Sequence, residues 1–106
     1  MFANRRLHKR FAINAVAKVF YGSNMLELPI RDISLTGIGL ETNDATTLSV
    51  GNLCFVALPE HGKLDAMVIG VRRQSYHLQF LTSEPEEVRA FIDAHTGAAP
   101  GGGATR

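Results

Sequence analysis

Apolar and polar positions alternate along most of the chain, the period of two that belongs to strands with one buried face. Ile13, Ala15, Ala17, Val19 and Tyr21 share one parity while Asn14 and Lys18 hold the other, which predicts a first strand. Gly22-Ser23-Asn24 is a turn cluster, so the next strand returns antiparallel. In that second strand Leu26, Leu28 and Ile30 are in phase, but Ile33 and Leu35 have the opposite parity. Such a phase change predicts a bulge or bend near Arg31-Asp32, a device common beside binding sites.

A short apolar stretch, Ile38-Gly39-Leu40, follows Thr36-Gly37, and residues 43–49, polar and β-branched, read as loop. Leu53 to Leu58 is a continuous apolar strand that ends in the turn sequence Pro59-Glu60-His61-Gly62. Leu64 to Val71 is apolar on both faces in places and reads as a central strand. Tyr76, Leu78 and Phe80 alternate with His77 and Gln79 in a last strand with one wet face. One helix comes at the end. Ser83 and Glu86 have the spacing of a capping box, Pro85 fits the first turn, and Val88, Phe91 and Ile92 make one apolar stripe. Gly97 supplies the stop. Six short strands and one late helix predict an all-β chain, a small six-stranded antiparallel barrel with a C-terminal α-helix covering one side. Closure removes the sheet edges that would otherwise invite pairing with other chains.

Composition narrows the class. With 106 residues, 45% of them hydrophobic, and a net charge of +1, the chain reads as one domain and not as a disordered polymer. No apolar run approaches the roughly 20 residues that span a bilayer, and the basic N-terminus does not read as a signal peptide. Cys54 is the one cysteine, which excludes an intrachain disulfide and a cysteine zinc cluster and suggests a cytoplasmic protein without membrane contact. The total charge conceals an asymmetry: residues 1–10 carry Arg5, Arg6, Lys9 and Arg10 and no acid, whereas residues 11–106 carry 7 bases and 10 acids. The expected organisation is therefore a flexible basic arm over 1–10, a folded body over 11–96, and a disordered Gly/Ala-rich tail over 97–106. An arm of this kind calls for an anionic partner.

Two segments could carry chemistry: Arg5-Arg6-Leu7-His8-Lys9-Arg10, and Asp32-Ile33-Ser34-Leu35-Thr36-Gly37 at the end of the second strand. Strand alternation puts Asp32 and Ser34 on the outer face, with Ile33 and Leu35 as apolar anchors on the other. Gly37 permits a tight turn and a close approach of backbone N–H groups to a ligand. These residue types suit guanine and phosphate. An arginine fork matches phosphate oxygens and the O6/N7 edge of guanine, a carboxylate accepts from guanine N1–H and N2–H₂, and a hydroxyl and turn amide serve the remaining acceptors. An arm ahead of the first strand can fold over such a ligand and become ordered by it.

Arg6-x-x-x-Arg10 followed by Asp32-x-Ser34-x-x-Gly37 resembles the paired signature of PilZ domains, small bacterial β-barrels that act as receptors for cyclic di-GMP. The resemblance runs from about Arg5 to His95. It implies that Arg6 and Arg10 grip phosphate and guanine, that Asp32, Ser34 and Gly37 complete the guanine site, and that Arg5 goes with binding a stacked pair of ligands. It further implies a monomeric, non-enzymatic effector in motility or exopolysaccharide control, with no cofactor, acting through a separate and unidentified downstream protein. His77 departs from the family pattern, standing where many relatives have glycine.

Blander readings exist for each feature. The arginines could be a solvated tail, and Asp32 to Gly37 a turn whose side chains bond their own backbone. Gly39 reads as a packing or bulge glycine, Arg72-Arg73 as a solvated edge, and Cys54 as an inert core thiol. His8, His61, His77 and His95 show neither metal-ligand spacing nor a catalytic triad, so the reading contains no enzyme. The rival functions are a PilZ-like interaction adaptor that binds no nucleotide and an OB-type nucleic-acid barrel. The second is disfavoured by the acidic body and the scarcity of stacking aromatics.

Overall fold

The computed structural model describes residues 9–82 and 85–97. Six strands and a helix follow one another: β1 Val16–Tyr21, β2 Asn24–Ile33, β3 Gly37–Glu41, β4 Leu53–Leu58, β5 Gly62–Arg72, β6 Ser75–Phe80 and α1 Glu86–Thr96. The strands close into an antiparallel barrel in the order β1-β2-β3-β6-β5-β4. The six strands and the helix anticipated from the sequence are therefore all present. Arg72 and Arg73 are exposed at the β5–β6 turn, where Arg72 pairs with Ser75 of β6 while the pairing of β5 with β4 has already ended at Met67.

Alternation along β1 and β2 sends Ala17, Val19, Leu28, Ile30 and Ile33 into the barrel. The β1–β2 hairpin turns on Gly22-Ser23, with Tyr21 opposite Asn24 and Gly22 at φ 59°, a conformation glycine adopts without penalty. The phase change in β2 is a bulge. Ile30 pairs with Leu40 and Asp32 with Gly39, so Arg31 is the extra residue. The first regular strand starts three residues later than its alternation suggested. Residues 11–15 still lie beside β2, held by Ile30 N–H to the Ala15 carbonyl (2.8 Å) and by a Phe11–Ile33 bridge.

Helix α1 covers the barrel end that carries the β4–β5 turn. Val88, Phe91 and Ile92 are buried in the common core, and Phe91 meets the His61 ring edge-on at 5.6 Å. Gly97 ends the helix in the left-handed conformation, its N–H bonded to the Asp93 carbonyl. The start differs from the expected capping box. Pro85, at φ −82° and ψ 62°, is the capping residue and not part of the first turn, and among the described residues no side chain caps the helix. Glu86 and Glu87 offset the helix dipole there instead. Ser83, Arg5, Arg6 and the tail beyond Gly97 lie outside the described residues.

The loop over 42–52 is anchored by a contact that alternation does not reveal. Leu48 is buried, and the Tyr76 hydroxyl donates to the Asp44 carbonyl (3.1 Å) while accepting from the Thr47 and Leu48 N–H groups (3.2 and 3.3 Å). A fully buried tyrosine needs such partners for its oxygen.

Candidate functional site

The site forms where the chain entering the barrel crosses the end of β2. Phe11 and Ile33 exchange both backbone bonds, N–H to carbonyl, at 2.8 and 2.9 Å. This bridge sets Arg10 beside Asp32, and both Nε and Nη2 of Arg10 donate to Asp32 Oδ1, at 3.0 and 2.8 Å. Two residues 22 apart in sequence thus form the one ion pair among the described residues. The side chains remain 40% and 28% exposed, so the pair is accessible to a ligand and of modest energetic value.

Asp32 and Ser34 do not share a face. Ser34 has no exposed surface, because the strand ends at Ile33 and the backbone turns there, so alternation no longer applies. Its hydroxyl accepts the N–H groups of Thr36 and Gly37, each at 3.2 Å, and its own N–H donates to the Gly37 carbonyl at 2.8 Å. This is the self-bonded turn that serine readily forms. It fixes the backbone of Thr36 and Gly37 at the rim of the site. Gly37 is required by packing: a Cβ there would stand 2.7 Å from the Leu78 carbonyl oxygen of β6.

Gly39 has a comparable packing role, in keeping with its reading as a packing or bulge glycine. A Cβ on it would lie 2.8 Å from Asp32 Oδ1 and 3.6 Å from His77 Cε1. The bare backbone of β3 lets the carboxylate lie across the strand and toward β6. The register continues this row: Asp32 opposite Gly39, Gly39 opposite His77, His77 opposite Gly70. A second bulge, with Ile69 as the extra residue, brings Gly70 opposite His77 and leaves Ile69 51% exposed. The signal for it was available, since Leu64, Ala66 and Val68 share a parity that Val71 breaks.

A cleft of about 380 Å³ occupies this face, bounded by Arg10, Thr36, Gly37, Ile69, His77 and Gln79. Its size falls in the range of small-molecule sites. A larger groove, about 640 Å³, lies nearer the β5–β6 turn and is lined by Arg31, Arg72 and Arg73 together with Glu27 and Glu41. The smaller cleft is the candidate site because Arg10 and the Thr36-Gly37 turn converge there. His77 titrates below the usual imidazole range, first because burial disfavours its charged form and then because Arg72, Arg10 and Arg31 repel it, against the opposing pull of Asp32. Among the described residues no group of three or more metal-ligating side chains exists, and no helix is long and apolar enough to cross a membrane.

A closed six-stranded barrel capped by one C-terminal helix, with an arginine–carboxylate rim beside a self-bonded serine–glycine turn, defines the class of the fold: a small antiparallel barrel with a charged cleft at one rim. The PilZ domain profile matches residues 4–96, and the chain belongs to that family. Its fold is close to that of the PilZ domain of CeSA from a cellulose-synthesizing bacterium, at TM-score 0.64 and 16% identity, covering 84% of this chain and 96% of the other. The PilZ domain of YcgR from Escherichia coli, solved with c-di-GMP, matches at 0.60 and 18%, covering 88% and 90%. MrkH of K. pneumonia, solved as a c-di-GMP complex, matches at 0.59 and 23%, covering 85% of this chain and 52% of MrkH. At these identities the likeness concerns the fold. No match was found among curated proteins.

Proposed function

We propose that this protein is a non-enzymatic receptor for cyclic di-GMP that acts in the cytoplasm, with residues 1–10 as its ligand-responsive arm. The observation that carries the reading is the two-pronged contact of Arg10 with Asp32, which joins one residue from each of the two motif segments. Both prongs end on the same carboxylate oxygen, Oδ1, so among the described residues the second oxygen takes no part in the pair. A guanine edge presents N1–H and N2–H₂, donors that an aspartate accepts. On this reading the base takes the place of Arg10 at Asp32, and the freed guanidinium turns its fork to a phosphate or to guanine O6/N7. Arg5 and Arg6 add the same chemistry from the arm. Ser34 acts by holding the turn, so that the Thr36 and Gly37 backbone lines the rim. Docking of the arm then alters the surface offered to a downstream protein.

Titration calorimetry of the wild type and Arg10→Ala with cyclic di-GMP, GTP and single-stranded DNA tests the proposal. Saturable binding of the cyclic dinucleotide alone, lost in the variant, is the expected result. A second reading, an adaptor that works without nucleotide, is favoured by the apolar strip on β4, where Leu53 and Phe55 are exposed. Silence toward all three ligands would support the adaptor, and salt-sensitive DNA binding would contradict both.

A further inference from the structure

We infer that His77 is the surface on which one guanine of the ligand stacks. The inference rests on the receptor reading above and adds a contact residue to it. His77 carries the one side chain at the centre of a bare strip, with Gly39 on one side and Gly70 on the other in the hydrogen-bonded register. Its ring bridges the two glycines: Cε1 lies 3.6 Å from where a Gly39 Cβ would stand, and Cδ2 lies 3.9 Å from the corresponding point at Gly70. With no neighbouring Cβ to lift it, a planar group can approach the imidazole closely. Around the strip the chemistry is that of a base. Ile69 forms an apolar wall on one side. Asp32 waits across Gly39 with acceptors for guanine donors and would repel a phosphate. The cations that suit phosphate lie at the periphery, Arg10 at one end and Arg31 and Arg72 at the other. Burial and these arginines favour the uncharged imidazole, an aromatic surface and not a further phosphate ligand.

The test compares His77→Ala and His77→Phe by calorimetry with cyclic di-GMP, each first checked for an unchanged circular dichroism spectrum. A platform predicts a loss of about tenfold in affinity for the alanine variant, in line with removal of one base–aromatic stack, and affinity within about threefold of wild type for phenylalanine. Equal affinity of His77→Ala and wild type would overturn the inference and leave the receptor reading intact. Equal losses in both variants would also overturn it, by assigning the contact to the ring nitrogens. Absence of wild-type binding would instead sink the receptor reading. A direct readout in the unmodified protein is the proton spectrum of the His77 ring, whose resonances should move upfield under a stacked purine and stay in place without one.

Discussion

Gly37→Ala separates two roles that a ligand motif leaves merged. The glycine has no unusual φ, so conformational freedom is not what it supplies. It supplies room: the added Cβ would sit 2.7 Å from the Leu78 carbonyl oxygen and 3.7 Å from Gln79 Cα. Both are backbone atoms of β6, a strand paired on each side with β3 and β5, and cannot swing away as a side chain would. Relief requires the β3–β6 ladder to open by several tenths of an ångström, which disturbs the Ser34 turn and the Phe80 N–H to Thr36 carbonyl bond at its end. Overpacking of this kind costs about 1–3 kcal/mol. For a folded body of this size that is a fall of roughly 5–20 °C in Tm. Thermal melts followed by circular dichroism, without ligand, measure it. A Tm within 2 °C of wild type, together with weakened ligand binding, would refute the steric argument and return Gly37 to a purely ligand-facing role.

Three further outcomes follow from the same geometry. Gly39→Ala meets a side-chain oxygen, Asp32 Oδ1, which can rotate, so the melt should move by only a few degrees while cyclic di-GMP affinity falls more than tenfold; a large Tm loss would contradict this. Tyr76→Phe removes the acceptor of the buried Leu48 N–H and should lower stability by about 1–3 kcal/mol in urea unfolding, with faster proteolysis in the loop over 42–52; unchanged stability would show the hydroxyl to be dispensable. His77 in the folded chain should titrate below the ~6.5 of a free imidazole. The fold therefore prefers the neutral ring, and its stability should decline as pH drops below that value, a component absent from His77→Phe; a His77 midpoint above 6.5 by NMR would reverse the sign.

The strands were legible because alternation and turn chemistry report directly on which residues face the core. The β2 bulge was legible for the same reason, since the phase break between Ile30 and Ile33 records it. What alternation could not show is the fate of residues just past a strand end. Ser34 was read outward by parity, yet the backbone turns after Ile33 and buries it. The helix start was misplaced because a serine–glutamate spacing is only local, whereas the backbone angles at Pro85 decide where helical bonding begins. Arg10 and Asp32 were each legible as candidates, but their pairing depends on the Phe11–Ile33 bridge, a tertiary contact. The Gly39–His77–Gly70 row depends on three strands and a bulge in register, so no one segment of sequence contains it. Leu48 entered the core for a comparable reason, drawn in by a hydroxyl 28 residues away.

The most direct test of the ligand site is a ¹⁵N-amide titration of the full chain with cyclic di-GMP. The account predicts saturable shifts at Arg10, Asp32, Thr36, Gly37 and His77, with the β4 amides from Leu53 to Leu58 unmoved. Shifts confined to β4, or none at saturating ligand, would contradict it.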